Sequence, residues 1–300
     1  MHFSSSVVMV RPRNFHLNPQ TILDNHFQTA INTLNREEIE NTIEIEFDGI
    51  YNELINAGIN VKAFNQDDGL DTPDAIFPNN WFSTHPEHIA CLYPMKAPNR
   101  RLERRKEITD WLRARYYKIN DLAFNEEQGK FLEGTGSLVL DNKNRMAYAA
   151  VSDRTHPKLV VDWCRSMNYK SVLFSACDKN SNPIYHTNVV LCIGNGFTIC
   201  CFSAIRSEAE RRIVAEALEN SGNIILDISM EQLHHFCGNG LQLKSKTGEH
   251  VFLISKNGWE HLSVFQREII KENSKVITPN LSLTEQLGGG SARCMVAELF

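Results

Sequence analysis

The sequence lacks the features that would place it in a membrane, on a nucleic acid or around a zinc ion. No run of about 18 apolar residues occurs, so no membrane-spanning helix is predicted. The most basic stretch, 100–106, is too short to follow a phosphate backbone, and we interpret it as a solvated helix face. No Cys-x-x-Cys pair is present. We therefore expect no nucleic-acid partner, no membrane partner and no metal.

The sequence also lacks the signs of a secreted, disulfide-linked protein. Its N-terminus has no basic region followed by an apolar core. There are eight cysteines, but most of them lie in apolar, strand-like runs, where cysteine acts as a small hydrophobic residue. These observations predict a reducing, cytoplasmic location.

The composition is that of an ordinary globular protein. The chain has 300 residues, 42% hydrophobic and 22% charged residues, and a net charge of -5. No linker or low-complexity tract divides it, so we expect one catalytic domain over residues 1–300. Composition leaves the oligomeric state open, a homo-oligomer included.

Short apolar runs alternate with amphipathic stretches along the whole chain. Strands are predicted at 6–10, 89–93, 137–140, 147–151, 171–174, 189–193, 197–201, 224–227, 241–244 and 250–255. Helices are predicted at 19–34, 42–57, 97–116, 157–167, 207–221 and 259–271. Gly194-Asn195-Gly196 predicts a hairpin. The repeating unit is two hairpin strands, a helix and one more strand, which indicates an α/β protein with mixed sheets.

Two segments in the first half of the chain carry candidate functional groups. Segment 71–86 combines carboxylates, amides, aromatics and a histidine, although a surface loop would have the same composition. In segment 131–140, Glu133 lies between an apolar pair and two glycines, which allow the backbone to approach a ligand closely. A solvated glutamate in a turn is the simpler interpretation of the second segment.

Two further segments complete a candidate catalytic set. His186 opens an apolar run, and Asn188 would face the same side of a strand. Near the C-terminus, three glycines precede Cys294, and the neighbouring Arg293 would favour its thiolate. A cysteine and a histidine are a standard pair for covalent catalysis, but composition alone does not bring them together.

With these four segments, the chain resembles the pentein, or guanidino-group-modifying, superfamily of arginine deiminases, dimethylarginine hydrolases and amidinotransferases. Within it, the sequence is most similar to citrulline-utilisation proteins of the CtlX type. The resemblance runs from segment 10–15 to the segment of Cys294. It implies a five-bladed α/β propeller, in which five ββαβ units surround a central site.

The resemblance also implies residue roles. Cys294 corresponds to the nucleophile, His186 to the general acid and base, and Glu133 to the carboxylate that binds the substrate nitrogens. Asn79 corresponds to an asparagine that contacts the amino-acid end of the substrate. Arg154 corresponds to an arginine that pairs with the α-carboxylate, a task suited to its planar guanidinium.

Phe82, His85 and Asn188 complete the expected substrate-binding set. Arginine deiminases have aspartates where this chain has His85 and Asn188, and those carboxylates hold a cationic guanidinium. A histidine or an amide can instead donate a hydrogen bond to a ureido oxygen. We therefore expect citrulline to be hydrolysed to ornithine, carbon dioxide and ammonia, without a cofactor.

Three alternatives stay open. The first is an arginine-type substrate, which is deiminated or passed to an acceptor amine. The second is a binding protein of the same fold that has no turnover. The third is an unrelated α/β protein in which Cys294 and His186 are core residues.

Overall fold

The fold was analysed in a computed structural model, which describes residues 2–31, 33–67 and 69–300. The strands are β1 (Ser6–Arg11), β2 (Asn60–Asn65), β3 (Phe82–His85), β4 (Ile89–Leu92), β5 (Lys118–Asp121), β6 (Val139–Asp141), β7 (Met146–Ala150), β8 (Lys170–Phe174), β9 (Leu191–Ile193), β10 (Phe197–Cys200), β11 (Ile224–Asp227), β12 (Leu241–Lys244), β13 (His250–Leu253), β14 (Lys275–Ile277) and β15 (Ala297–Leu299). The α-helices are α1 (Arg36–Asn56), α2 (Pro98–Arg101), α3 (Lys106–Arg113), α4 (Gly134–Ser137), α5 (Pro157–Met167), α6 (Thr187–Val190), α7 (Glu208–Glu219), α8 (Met230–His234), α9 (Lys256–His261) and α10 (Val264–Asn273).

The strands form five three-stranded sheets with the same internal order. In each sheet the middle strand pairs antiparallel with one neighbour and parallel with the other, as β4 does with β3 and β5. A parallel pair needs a crossover connection, and here the crossovers carry the longer helices, such as α5 between β7 and β8. The predicted unit of a hairpin, a helix and a third strand is therefore confirmed, and the fold is the five-bladed α/β propeller of the penteins.

The first sheet joins the two ends of the chain. Strand β15 pairs antiparallel with β1, with Ser6 opposite Leu299, and β1 pairs parallel with β2. The propeller closes by hydrogen bonds between an early and a late strand. The segment just before β15, which contains Cys294, is thereby held within the ring.

Helix ends follow local chemistry. Helix α5 has Pro157 in its first turn and ends at Asn168, which adopts the left-handed conformation that asparagine tolerates. Helix α7 begins after Ser207, whose side chain accepts a hydrogen bond from the backbone N–H of Glu210. Both helices were predicted within two residues of their bounds. In the described part of the chain, no helix combines the length and the apolar character needed to cross a membrane.

Five predicted elements differ from the structure, one of which is the predicted helix 259–271, which is divided into α9 and α10. Residues 19–31 form turns rather than a helix, and the rest of that prediction includes Asn32, which lies outside the described residues. The predicted helix 97–116 is divided into α2 and α3. The starts of the predicted strands 137–140 and 189–193 belong to the short helices α4 and α6. His186 and Asn188 are therefore not alternate residues of a strand.

Candidate active site

Five polar side chains come from equivalent places in the five sheets. Each lies in a short segment just before the first strand of its sheet: Asn80 before β3, Glu133 before β6, His186 before β9, Asn239 before β12 and Cys294 before β15. All five side chains are buried. Each repeat therefore contributes one functional group to the centre of the propeller.

These positions recur at nearly constant spacing. His186 follows Glu133 by 53 residues, and Cys294 follows Asn239 by 55. Asn80 precedes Glu133, and Asn239 follows His186, by the same interval of 53. This interval is the sequence signal that would have identified Asn80 and Asn239, which sequence reasoning left out of the site.

Glu133 and His186 form a buried pair. His186 Nε2 lies 2.9 Å from Glu133 Oε2, and the backbone N–H of Lys96 donates to Glu133 Oε1 at 3.0 Å. Burial alone would raise the pKa of Glu133, but Arg154 and His186 outweigh it and hold that pKa at about 2. Burial lowers the pKa of His186. The pair therefore combines an ionised carboxylate with a neutral imidazole, whose Nε2–H donates to Glu133.

Two glycines allow the backbone to bring the catalytic segments together. A Cβ at Gly136 would lie 2.7 Å from His186 Nδ1 and 2.5 Å from Asn80 Nδ2, so only glycine fits between them. Gly289, five residues before Cys294, has a φ of 62°, which is in the left-handed region. The glycines that marked these segments in the sequence thus have definite steric roles.

Cys294 is surrounded by amide groups. Its Sγ lies 3.4 Å from Asn239 Nδ2 and 3.6 Å from Asn188 Nδ2. The Asn239 side chain is fixed by two backbone groups, because its Nδ2 donates to the Asn188 carbonyl and its Oδ1 accepts from the Arg293 N–H. These N–H groups are ready to stabilise negative charge on the sulfur or on an attacked carbonyl oxygen.

The thiol is nonetheless less acidic than its sequence context suggested. Burial raises the pKa of Cys294, although the Ser291 backbone, Asn239 and the charge of Arg293 lower it in part. The Arg293 guanidinium turns toward Glu298, with which it forms an ion pair at 3.1 Å. Arg293 lowers the pKa of Cys294 as expected, but burial raises that pKa by more. The resting group is therefore the neutral thiol.

Arg154 lies at the centre, but it already has partners. Its guanidinium pairs with Asp24, lies 3.6 Å from Glu133 and stacks 4.7 Å from the ring centre of Tyr185. Lys96 also binds Asp24, at 2.7 Å. A substrate carboxylate would have to share or displace Asp24, which the sequence analysis placed in a predicted helix and did not select as a site residue.

Several buried polar atoms near this centre have no hydrogen-bond partner in the described residues. They include both amide atoms of Asn79, Nδ2 of Asn80, Oδ1 of Asn188 and Oδ1 of Asp74. Unpaired buried polar groups are rare in folded proteins, and they are typical of sites that await a polar ligand. The Asn79 backbone carbonyl accepts from Thr135, which joins this segment to that of Glu133.

The structure does not bring two expected site residues to this centre. His85 bonds to Ser83 at 2.8 Å and packs against Trp163, and burial lowers its pKa to about 3. Phe82 packs on Trp81 in the core between neighbouring sheets. Phe77 belongs to the same hydrophobic cluster as Cys294, together with Phe15 and Phe47. The position of His85 therefore does not fit the hydrogen-bond donor role that the sequence analysis expected of it.

The family described as "N,N dimethylarginine dimethylhydrolase, eukaryotic" matches residues 11–300. Comparison with curated proteins gave no significant match.

Solved structures show the same fold at low sequence identity. The cyanobacterial arginine dihydrolase ArgZ superposes with a TM-score of 0.74 at 15% identity, over 97% of this chain and 40% of that one. AgrE, solved with ornithine and NAD+, superposes with a TM-score of 0.76 at 16% identity, and the match covers 98% of this chain and 39% of that one. This chain thus spans about 40% of the length of those proteins, but it covers 97% of an isolated ArgZ N-terminal domain.

A dimethylarginine dimethylaminohydrolase, solved as an adduct with 4-chloro-2-hydroxymethylpyridine, matches over the full length of both chains. Its TM-score is 0.66 at 12% identity, and the match covers 99% of this chain and 100% of that one. The family match confirms the expected superfamily, and these solved structures share the fold of this chain. The chain belongs to the eukaryotic N,N-dimethylarginine dimethylhydrolase family.

Proposed function

We propose that the chain hydrolyses the ureido group of citrulline to ornithine, carbon dioxide and ammonia, with residues 1–300 as one catalytic domain. The observation that carries the proposal is the position of the Cys294 sulfur beside the amides of Asn239 and Asn188, the latter two residues from His186, whose ring contacts Glu133. Glu133 is the one carboxylate that contacts His186 in the described residues. A neutral ureido group needs both acceptors for its N–H groups and donors for its oxygen.

The roles follow from the contacts. Ionised Glu133 accepts from the ureido nitrogens, while Asn239 or Asn188 donates to the oxygen in place of the expected His85. Arg154 and Asn79 bind the amino-acid end. The likeness to citrulline-utilisation proteins supports the same substrate.

The chemistry takes two steps. As the sulfur of Cys294 attacks the ureido carbon, His186 takes the thiol proton and a sulfur–carbon bond forms; the first carbon–nitrogen bond then breaks as His186 gives that proton to the leaving nitrogen. Water, from which His186 removes a proton, attacks the thioester-like intermediate, the sulfur–carbon bond breaks, and the sulfur takes the proton back from His186. The carbamic acid that is released loses carbon dioxide, which breaks the second carbon–nitrogen bond. One citrulline and one water give one ornithine, one carbon dioxide and one ammonia.

A second candidate is arginine, favoured by a specific observation. Burial raises the pKa of Cys294, and a cationic guanidinium beside the sulfur would lower it again. A neutral ureido group gives no such help. The structural relatives include an arginine dihydrolase, whose fold this chain shares.

The assay is incubation of the purified protein with citrulline or arginine, followed by quantification of ornithine, citrulline and ammonia. The proposal predicts ornithine and ammonia in a one-to-one ratio from citrulline. Ornithine with two ammonia from arginine would indicate a dihydrolase, and accumulating citrulline would indicate a deiminase. Labelled acceptor amines test amidino transfer. Citrulline left intact while arginine is consumed would contradict the substrate choice.

The cysteine chemistry supports a cytoplasmic location. Every one of the eight cysteines is a free thiol in the structure. A reducing compartment would keep Cys294 in its reactive state. Localisation of a tagged protein by cell fractionation tests this part of the proposal.

A further inference from the structure

The segment that carries Cys294 is held by two buried carboxylates. Glu46 and Glu285 are both less than a tenth exposed. Neither forms an ion pair within the described residues. Glu46 instead accepts hydrogen bonds at the start of the π-helical turn Thr284–Gly288, and Glu285, which lies in that turn, accepts hydrogen bonds from Ser291 and Asn257. Unpaired buried charges are costly, so such groups are retained where their geometry serves a purpose.

Glu46 fixes the start of this turn. Its carboxylate accepts from the backbone N–H groups of Leu283 and Thr284 at 2.8 and 2.9 Å. It also accepts from the Thr284 hydroxyl at 2.7 Å. These contacts anchor the beginning of the segment to helix α1.

Glu285 fixes the end of the segment that carries Cys294. One oxygen accepts from the Ser291 hydroxyl at 2.5 Å, and the other accepts from Asn257 Nδ2 at 2.8 Å. Asn257 belongs to helix α9, so Glu285 ties the segment to the fifth sheet's crossover. Burial raises the pKa of Glu285, and Glu46 raises it further. On its outer side Glu285 faces a cavity that is also lined by His234, His235, Lys256 and Glu260.

Ser291 leads directly to the nucleophile. The Cys294 N–H donates to the Ser291 carbonyl at 2.9 Å, which closes a turn around the thiol. Hydrogen bonding from the Ser291 backbone also lowers the pKa of Cys294. The orientation of Ser291 therefore affects both the placement of the sulfur and its ionisation.

We propose that Glu285 is a positioning residue, which holds Ser291 so that Cys294 keeps its reactive geometry. The proposal rests on the proposed function only in assigning Cys294 as the nucleophile. It does not depend on whether citrulline or arginine is the substrate. Asn257 supports the same carboxylate from outside the cysteine segment.

The test measures the reactivity of Cys294 itself. Wild type and Glu285→Ala are treated with iodoacetamide across a range of pH, and the peptide that contains Cys294 is quantified by mass spectrometry. For Glu285→Ala we expect the midpoint of the alkylation profile to rise by about one pH unit, with about tenfold slower alkylation at neutral pH. The kcat should fall by a similar factor while KM stays within about twofold.

Conservative and matched variants separate positioning from general destabilisation. Glu285→Gln keeps an oxygen acceptor for Ser291 and should recover part of the lost reactivity. Asp178→Asn, which alters a buried carboxylate that caps its own loop, should leave the profile of Cys294 unchanged. If Glu285→Ala does not fold, Ser291→Ala, which removes only the hydroxyl donor, must give the same upward shift.

A folded Glu285→Ala or Ser291→Ala protein with the wild-type alkylation profile would overturn the proposal. Because alkylation needs no substrate, it decides the role of Glu285 even when neither citrulline nor arginine is turned over. If neither amino acid is turned over, that result counts against the proposed function and leaves the role of Glu285 unaffected.

Discussion

His186 Nε2 lies 2.9 Å from Glu133 Oε2, whereas Cys294 has the amides of Asn239 and Asn188 as its side-chain partners. No hydrogen bond joins His186 to Cys294 in the part of the chain that the structure describes. The proposed nucleophile and the proposed acid–base residue are thus held separately, unlike a hydroxyl and imidazole that share a proton at rest. The reacting carbon is expected to lie between them.

Cys294 should be required for turnover. Cys294→Ser places a much weaker nucleophile in the same position, so product formation should fall by at least about a thousandfold. The release of ornithine and ammonia measures it, and an electrophilic thiol probe should label wild type but not the variant at this residue. Cys177→Ser, which alters a half-buried cysteine elsewhere, is the control and should keep full activity. An inert Cys294 would favour a binding protein without turnover.

The value of kcat/KM should rise as the pH becomes more alkaline. Burial raises the pKa of Cys294, so the thiolate fraction grows with pH beyond the range of an ordinary thiol. Glu133 keeps a pKa of about 2 and stays ionised throughout this range. Its charge is lost only when the pH falls toward that value. An inflection near 4.5, the ordinary value for glutamate, that vanishes in Glu133→Gln would contradict this assignment.

Glu133→Gln should separate the charge of Glu133 from its shape. The amide keeps the size of the side chain but no longer attracts His186 or Arg154, so kcat should fall by about 10² to 10⁴. Because Glu133 raises the pKa of His186, its removal should lower that pKa further. The C2-proton shift of His186 in an NMR titration measures the change. An unchanged titration would show that the 2.9 Å contact does not couple the two groups.

Arg154 should matter for the amino-acid end of the substrate. Arg154→Ala removes the guanidinium proposed to bind the α-carboxylate, so KM for the amino acid should rise by about 10- to 100-fold. A decarboxylated analogue lacks this group, and its KM should change little. Equal losses for both substrates would instead indicate that Arg154 acts through Glu133, which lies 3.6 Å away.

Substitution of His85 should lower the stability of the fold, whereas substitution of Asn239 should lower kcat. His85→Ala removes a buried ring that packs on Trp163, so it should lower the free energy of unfolding by about 1 to 3 kcal/mol and leave KM unchanged. Asn239→Ala removes the N–H group 3.4 Å from the sulfur, so kcat should fall by about 10- to 1000-fold. Thermal unfolding and steady-state kinetics measure the two effects. A large loss of kcat in folded His85→Ala would place His85 in the site after all.

The sequence was most informative where glycine marked a segment. Glu133 and Cys294 were selected because glycines adjoin them, and Gly136 and Gly289 do have steric or conformational roles. The same reasoning undervalued Asn239. Asn239 also has a glycine on each side, yet it was not selected, and its side chain contacts the sulfur.

The assignment of His85 and Phe82 to the site could not be tested by pattern alone. In strand β3 every residue is buried, so polar and apolar alternation does not tell which face points to the centre. The partners of His85 are Ser83 and Trp163, and Trp163 lies about 80 residues away on α5. Such contacts depend on how neighbouring sheets pack, which no local window of sequence contains.

The pairing of Ser6 with Leu299 means that the ring closes only after nearly the whole chain has been made. The segment that precedes β15 is made late as well, and until it is in place the sulfur of Cys294 lacks its amide neighbours. A nascent or interrupted chain would therefore carry His186 and Glu133 but no assembled nucleophile. The proposed active site is therefore complete only when the final step of folding has taken place.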